Sequence, residues 1–301
     1  MWARLHGPTW LVAFLTYGGW LAVTYAHRWL PLPILAVLGG FLIAWHGSLQ
    51  HETIHGHPAG GKWLGRALGT PPLALWLPYE VYRDSHRRHH ATAHLTDPEH
   101  DPESLFCSPE AWQRMGPWLR ALFVLQTTAL GRLTLGPFLT IGRFLRRECV
   151  AVGRGEPGRR RAWVWHLLGV ALVLFWVLGV AGMPLWKYLI AFVYPGAALT
   201  LLRSFAEHRD DLVRERRTTV VEAGWLFRVL YLNNNFHVMH HGAPHVPWFE
   251  LPALWRRERA RILRDGTHVV HSAGYLSLVR AHAIKPIIDI ETRRTFRCGG
   301  S

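Results

Sequence analysis

Half of the 301 residues are hydrophobic and 16 are Trp, with mean hydropathy just above zero, which excludes an ordinary soluble domain and gives a polytopic membrane protein. The formal charge of +14 is almost wholly Arg, with Lys only at Lys62, Lys187 and Lys285. The Arg residues flank apolar runs, the pattern of positive-inside loops facing anionic headgroups, so nucleic acid is not the expected partner. Cys107, Cys149 and Cys298 form no CxxC pair, which excludes a disulfide framework and a thiolate metal site; 20 His residues are far more than packing requires.

Spans are expected at 10–25, 32–49, 163–180 and 185–202. No small-residue cleavage site follows the first apolar run, so it is expected to stay as a span. The second runs directly into Gln50-His51-Glu52, at the membrane boundary. Residues 64–79, broken by Pro71, Pro72 and Pro78, are too interrupted to cross and read as re-entrant or interfacial. An acidic, Pro-punctuated loop follows at 95–104. Residues 118–145 carry Arg120, Arg132 and Arg143 and read as an in-plane amphipathic helix pair. Four crossings put the basic run 143–161, the histidine segments and both termini on the cytoplasmic side, because the two outer turns carry little beyond Arg28 and Lys187. The fold class is all-α, with a membrane domain over 1–254, a cytoplasmic helical cap bearing the histidines, and a cytoplasmic tail over 255–301.

Three segments carry the chemistry: His51-Glu-Thr-Ile-His55, His86-Arg-Arg-His-His90 and His237-Val-Met-His-His241. On a helix, positions i, i+3 and i+4 share a face, so each HxxHH segment can aim three imidazoles at one point. Neutral imidazole suits iron, zinc, copper or nickel better than magnesium or calcium. HExxH alone is also the zinc-peptidase signature, with Glu52 as base, but that reading leaves both HxxHH segments unexplained. A membrane metal carrier would line its spans with polar ligands, whereas these spans hold little that ionises beyond His46. His208 closes the last span and arrives on the same side, a ninth candidate ligand. Asn234, Asp84, Glu207, Asp97, Asp101 and Glu103 are candidate acceptors for ring N–H groups. Asn233-Asn-Asn235 is expected to cap the third segment and Pro244 to stop it. His57 is expected in a loop, and the remaining scattered histidines at surfaces or interfaces.

The order HxxxH, HxxHH, a two-span hairpin and HxxHH resembles the membrane-bound di-iron fatty acid desaturase and hydroxylase superfamily, which includes acyl-lipid desaturases and carotenoid hydroxylases and ketolases. The resemblance covers roughly residues 50–252; no motif of the family is matched beyond Trp255. It implies that His51, His55, His86, His89, His90, His237, His240 and His241 hold two iron ions, and His208 matches an extra histidine that such enzymes carry after the fourth span. It further implies O2 as co-substrate, a lipid acyl chain or a carotenoid as substrate, and electrons from a ferredoxin or cytochrome-type donor, for which an Arg-rich face is suited. This chain has Glu52 where many desaturases have Asp, His237 where front-end desaturases have Gln, and Ser204 where acyl-CoA desaturases have Asn. Fatty acyl desaturation is the expected activity and carotenoid or other lipid hydroxylation or ketolation the alternative; compactness and the preference for Arg suggest a bacterial inner membrane.

Overall fold

The apolar runs form hairpins of helices in the computed structural model, which describes residues 6–58, 61–211 and 213–287. Helix α1 (Gly7–Tyr25) turns through Ala26–Arg28 into α2 (Leu32–Ile54). Later, α9 (Arg159–Leu174) continues as a π-helical stretch, Phe175–Val180; α10 (Leu185–Tyr188), a second π stretch (Leu189–Val193) and α11 (Tyr194–Glu207) then form one rod. Pro195 has no N–H to give, and the rod widens just before it. The two turns meet at the end away from the histidines, where Lys187 Nζ donates to the His27 carbonyl at 2.9 Å.

Among the described residues, three helices are long and apolar enough to cross a membrane: Leu32–Ile54, Arg159–Val180 and Leu185–Glu207. At 23 residues, α2 is about 35 Å long against a hydrocarbon core of about 30 Å. Arg159–Val180 presents Leu167, Leu168, Leu172 and Phe175 outward, an apolar face that lipid can cover. Helix α1 has 19 residues and packs along α2, but Thr9, Thr16, Gly18, Gly19 and Thr24 dilute its apolar character, and it is not among the three. Helices α2 and α11 approach closely because small residues face each other. A Cβ on Gly196 would lie 2.5 Å from Ile43 Cβ, and one on Gly40 would lie 2.8 Å from Pro195 Cβ.

Between the hairpins come α3 (Lys62–Gly69), α4 (Tyr79–Ala91), α5 (Pro109–Arg114), α6 (Pro117–Gln126), α7 (Ala129–Thr134) and α8 (Gly136–Gly153). Residues 118–145 thus form parts of three helices rather than a pair; ten-residue α6 reaches only about 15 Å and cannot cross. Within the segment 64–79, the irregular stretch 70–78 packs against the long helices. Leu73 is buried, its carbonyl accepts from Tyr188 Oη at 2.6 Å, and the Leu75 carbonyl lies 2.9 Å from His166 Nε2. His166 and His27 are therefore buried rather than at a surface, each beside a backbone carbonyl or cation that gives it a polar neighbour.

After α11 the chain forms β1 (Thr219–Val221), α12 (Trp225–Leu230), α13 (His237–Gly242), α14 (Leu251–Asp265), β2 (Val269–His271) and α15 (Gly274–Ala281). Parallel pairing of β1 with β2, Val220 opposite Val270, adds a small sheet to a mostly helical chain. The boundary expected after residue 254 falls inside α14. Beyond it, Trp255 and Ile262 pack with Phe236 and Met239, while Tyr275 and Leu278 join the core of α2 and α11.

Candidate metal centre

The histidine segments meet where α2 and α11 end. His51 is in the last turn of α2 and His55 is the residue just past it; His208 occupies the same position after α11. On α4, His86 and His89 are buried while Arg87 and Arg88 face outward, so one helix separates ligands from charge. Helix α13 is a six-residue turn bearing His237, His240 and His241. The Asn run before it does not cap it: Phe236 stands at the N-cap with no side-chain bond. Asn233 instead adopts a left-handed turn (φ 54°), which Asn tolerates, and donates to the Trp248 carbonyl at 3.0 Å; Asn235 donates to the Val221 carbonyl at 2.7 Å.

All nine imidazoles converge, but not as one cluster and not segment by segment. His51, His55, His86, His90 and His240 form one group, and His89, His208, His237 and His241 a second; within each, the nitrogens lie within 4.8 Å of one another. Each HxxHH segment sends its i and i+4 imidazoles to one group and its i+3 imidazole to the other. The expectation that a segment aims all three rings at one point is corrected accordingly: the i+3 and i+4 rings diverge by a full residue's rotation around the helix. The groups adjoin, with the His90 and His241 rings stacked at 4.2 Å between centroids.

Partners behind the rings fix which nitrogen faces inward. His89 Nδ1 donates to both Asp101 oxygens at 2.9 and 3.0 Å, and His86 Nδ1 to Glu103 Oε2 at 3.1 Å. His237 Nδ1 lies 3.3 Å from Asn234 Oδ1 and 3.4 Å from Glu207 Oε2, while His208 Nδ1 lies 3.4 Å from the Arg217 carbonyl. The Nε2 atoms of these rings therefore present lone pairs. Yet His237 Nε2 sits 2.9 Å from His208 Nε2 and 3.1 Å from His241 Nε2, while His55 Nε2 is 3.0 Å from His86 Nε2. Facing lone pairs repel unless a cation lies between them. Two nitrogens bound at right angles to a metal at about 2.1 Å stand about 3.0 Å apart, so the spacing fits a metal in each group. His51 Nε2 is buried without any hydrogen-bond partner, as expected for a ligand atom.

Burial is the main cause that lowers the His55 pKa to about 2 and those of His90 and His208 to about 3, with neighbouring imidazoles adding to it. Burial also sets those of His237, His240 and His241 well below the usual range. The rings are thus neutral, the form that binds metal. His89 is the exception: burial lowers its pKa, but the Asp101 hydrogen bond and the charges of Glu103 and Asp101 outweigh it.

The model of the family described as fatty acid desaturase matches residues 27–273. The chain belongs to the fatty acid desaturase family. No curated protein matches it. The desaturase match runs past residue 254 to include β2, in keeping with the packing of that segment. Asp84 stands apart from both histidine groups of this desaturase-family chain: it is exposed and paired with Arg83 at 2.8 Å, because its helix position turns it away from the histidines. Asp97 bonds His100 in the loop. Glu52, the base of a peptidase reading, is buried and accepts from the Trp248 amide at 3.2 Å. His57 lies in the loop after α2, stacked on His6 at 5.2 Å, and His46 is buried 3.2 Å from Tyr17 Oη; neither joins a group. Tyr275, which no motif marks, reaches Glu207 Oε1 at 3.3 Å from the C-terminal segment.

Proposed function

We propose that this chain is an O2-dependent di-iron membrane oxidoreductase that introduces a double bond into the acyl chain of a lipid. The observation that carries the reading is the division of nine buried imidazoles into adjoining groups of five and four, more than a single zinc takes and in keeping with two metals side by side. Iron in the two groups supplies the chemistry that uses O2 and electrons to remove hydrogen from an unactivated C–H bond. His51, His55, His86, His90 and His240 hold one iron, and His89, His208, His237 and His241 the other. Asp101, Glu103, Asn234 and Glu207 keep ring protons on Nδ1, so that Nε2 stays available and the rings cannot rotate. Burial keeps water from the reacting carbon, and the apolar spans admit a lipid chain from the bilayer.

Electrons come from an external ferredoxin or small cytochrome. Arg87, Arg88, Arg143 and Arg147 are exposed on α4 and α8 and suit an acidic donor. The histidine end then faces the cytoplasm of a bacterial inner membrane. The test is mass spectrometry of lipids and pigments from aerobic cells expressing the protein or its His240→Ala variant together with a ferredoxin donor. Acyl chains lacking two hydrogens, absent with the variant, establish desaturation. One added oxygen on a lipid or carotenoid makes the enzyme a hydroxylase or ketolase instead.

A further inference from the structure

Near the second histidine group, a buried guanidinium leaves two of its nitrogens without hydrogen-bond partners. Arg132, on α7, is 5% exposed, yet its Nε and Nη1 have no hydrogen-bond partner. Its Cζ lies 5.8 Å from the ring centre of Phe205, which offers attraction to the cation but no acceptor in the guanidinium plane. Burial lowers its pKa only to about 10, so it is charged at neutral pH. A guanidinium removed from water without an acceptor is strongly unfavourable, and buried charges are normally paired.

The side chain lines a half-open cleft with His89, His208, Ser104, Ser204 and Phe106. The cleft has a volume of about 40 Å³. That holds about three water molecules, or the three heavy atoms of a carboxylate, and is too small for an acyl chain. Asp101 and Glu103 also line it but are already engaged. Asp101 accepts from His89 and from the Thr96 and Glu103 amides, and Glu103 from Ser85 and His86. A planar fork with free N–H groups matches the oxygens of a carboxylate or phosphate.

We propose that Arg132 and this cleft bind the carboxylate head of the amphiphile whose chain is oxidised. The proposal rests on the lipid-substrate reading above and adds that the substrate is recognised by its charged end. With the head fixed beside His208, the carbon that reaches the histidines is set by its distance from that end.

The test is binding rather than turnover, with the full chain in maltoside micelles and phosphate-free buffer. Dibromostearate and its methyl ester are titrated against intrinsic Trp fluorescence, which bromine quenches. Inorganic phosphate is read by the rise it causes in melting temperature. The wild type is expected to bind the acid roughly 10- to 100-fold more tightly than the ester, the range of a hydrogen bond to a charged group. Arg132→Gln is expected to bind both as weakly as the ester, and Arg132→Lys to keep most of the preference. The wild-type comparison stands even if a variant does not fold. Acid and ester binding alike to the wild type would overturn head recognition and leave the lipid-substrate reading intact, whereas quenching by neither would overturn both. Phosphate raising the melting temperature while acid and ester bind alike would mark a free-anion site and also overturn the assignment.

Discussion

Asp101→Asn is the most informative single change behind the histidines. Asp101 is 4% exposed; Oδ1 accepts from His89 Nδ1 and the Glu103 amide at 2.9 Å each, and Oδ2 accepts from the Thr96 amide at 2.8 Å as well as from His89. An asparagine amide keeps one oxygen and turns an NH2 toward one of those backbone N–H groups. A buried donor then faces a donor, at about 1–3 kcal/mol, and the bond to His89 loses its charge assistance, about 1 kcal/mol more. The unfolding free energy is expected to fall by about 2–4 kcal/mol, and metal affinity at the four-histidine group by about 10- to 100-fold. Denaturant unfolding and iron retention against a chelator measure the two effects. Asp84→Asn, on exposed α4 surface and paired with Arg83, is the control and is expected within about 0.5 kcal/mol of wild type. An Asp101→Asn protein that holds iron as firmly as the control would refute the role given to this carboxylate.

Gly196→Ala places a methyl 2.5 Å from Ile43 Cβ and is expected to cost about 1–3 kcal/mol by forcing α2 from α11, with iron content falling alongside melting temperature; an unchanged melting temperature would contradict that packing. Metal-free protein is expected to lose stability on acidification. His55, His90 and His208 have folded pKa values of about 2, 3 and 3, below the usual 6.5, so their contribution is complete above about pH 6.5 and lost as pH falls toward those values. At pH 5 each costs about 2 kcal/mol, visible as a steep drop in melting temperature between pH 7 and 5 that bound metal lessens; a flat profile would show that the rings are not held neutral. Ending the chain at residue 254 removes buried Trp255, Ile262, Tyr275 and Leu278, together about 6–12 kcal/mol of burial, comparable with a whole domain's stability. The truncated chain is expected not to accumulate as folded protein, and its recovery in folded form would show that the C-terminal segment is dispensable.

What was legible in the sequence follows from periodicity. The i, i+3, i+4 spacing marks the histidine segments whatever surrounds them, and His208 could be placed because a span of known length delivers it to the depth of His51. Glu207 and Asn234 were readable for the same reason, lying one residue before His208 and three before His237. The division into five and four was not, since it depends on how α4 and α13 face each other, and sequence spacing is silent on that. Asp101 and Glu103 could be weighed only alongside Asp84 and Asp97, because a Pro-punctuated loop has no period to show which carboxylate turns inward. The β1–β2 pairing joins three-residue strands 50 positions apart, too short to leave an alternating pattern, and with it the integration of the C-terminal segment went unseen. Arg132 read as one more interfacial charge, because nothing in a sequence distinguishes a solvated guanidinium from a buried one.

The central claim is that two irons are held by nine histidines in two unequal groups, and counting metal tests it most directly. Protein purified from iron-replete cells is expected to carry about two iron per chain by elemental analysis, with a Mössbauer signal of coupled or paired high-spin iron, and His237→Ala is expected to lower the count while leaving the five-histidine group loaded. One zinc per chain, or iron content unaffected by His237→Ala, would contradict the account.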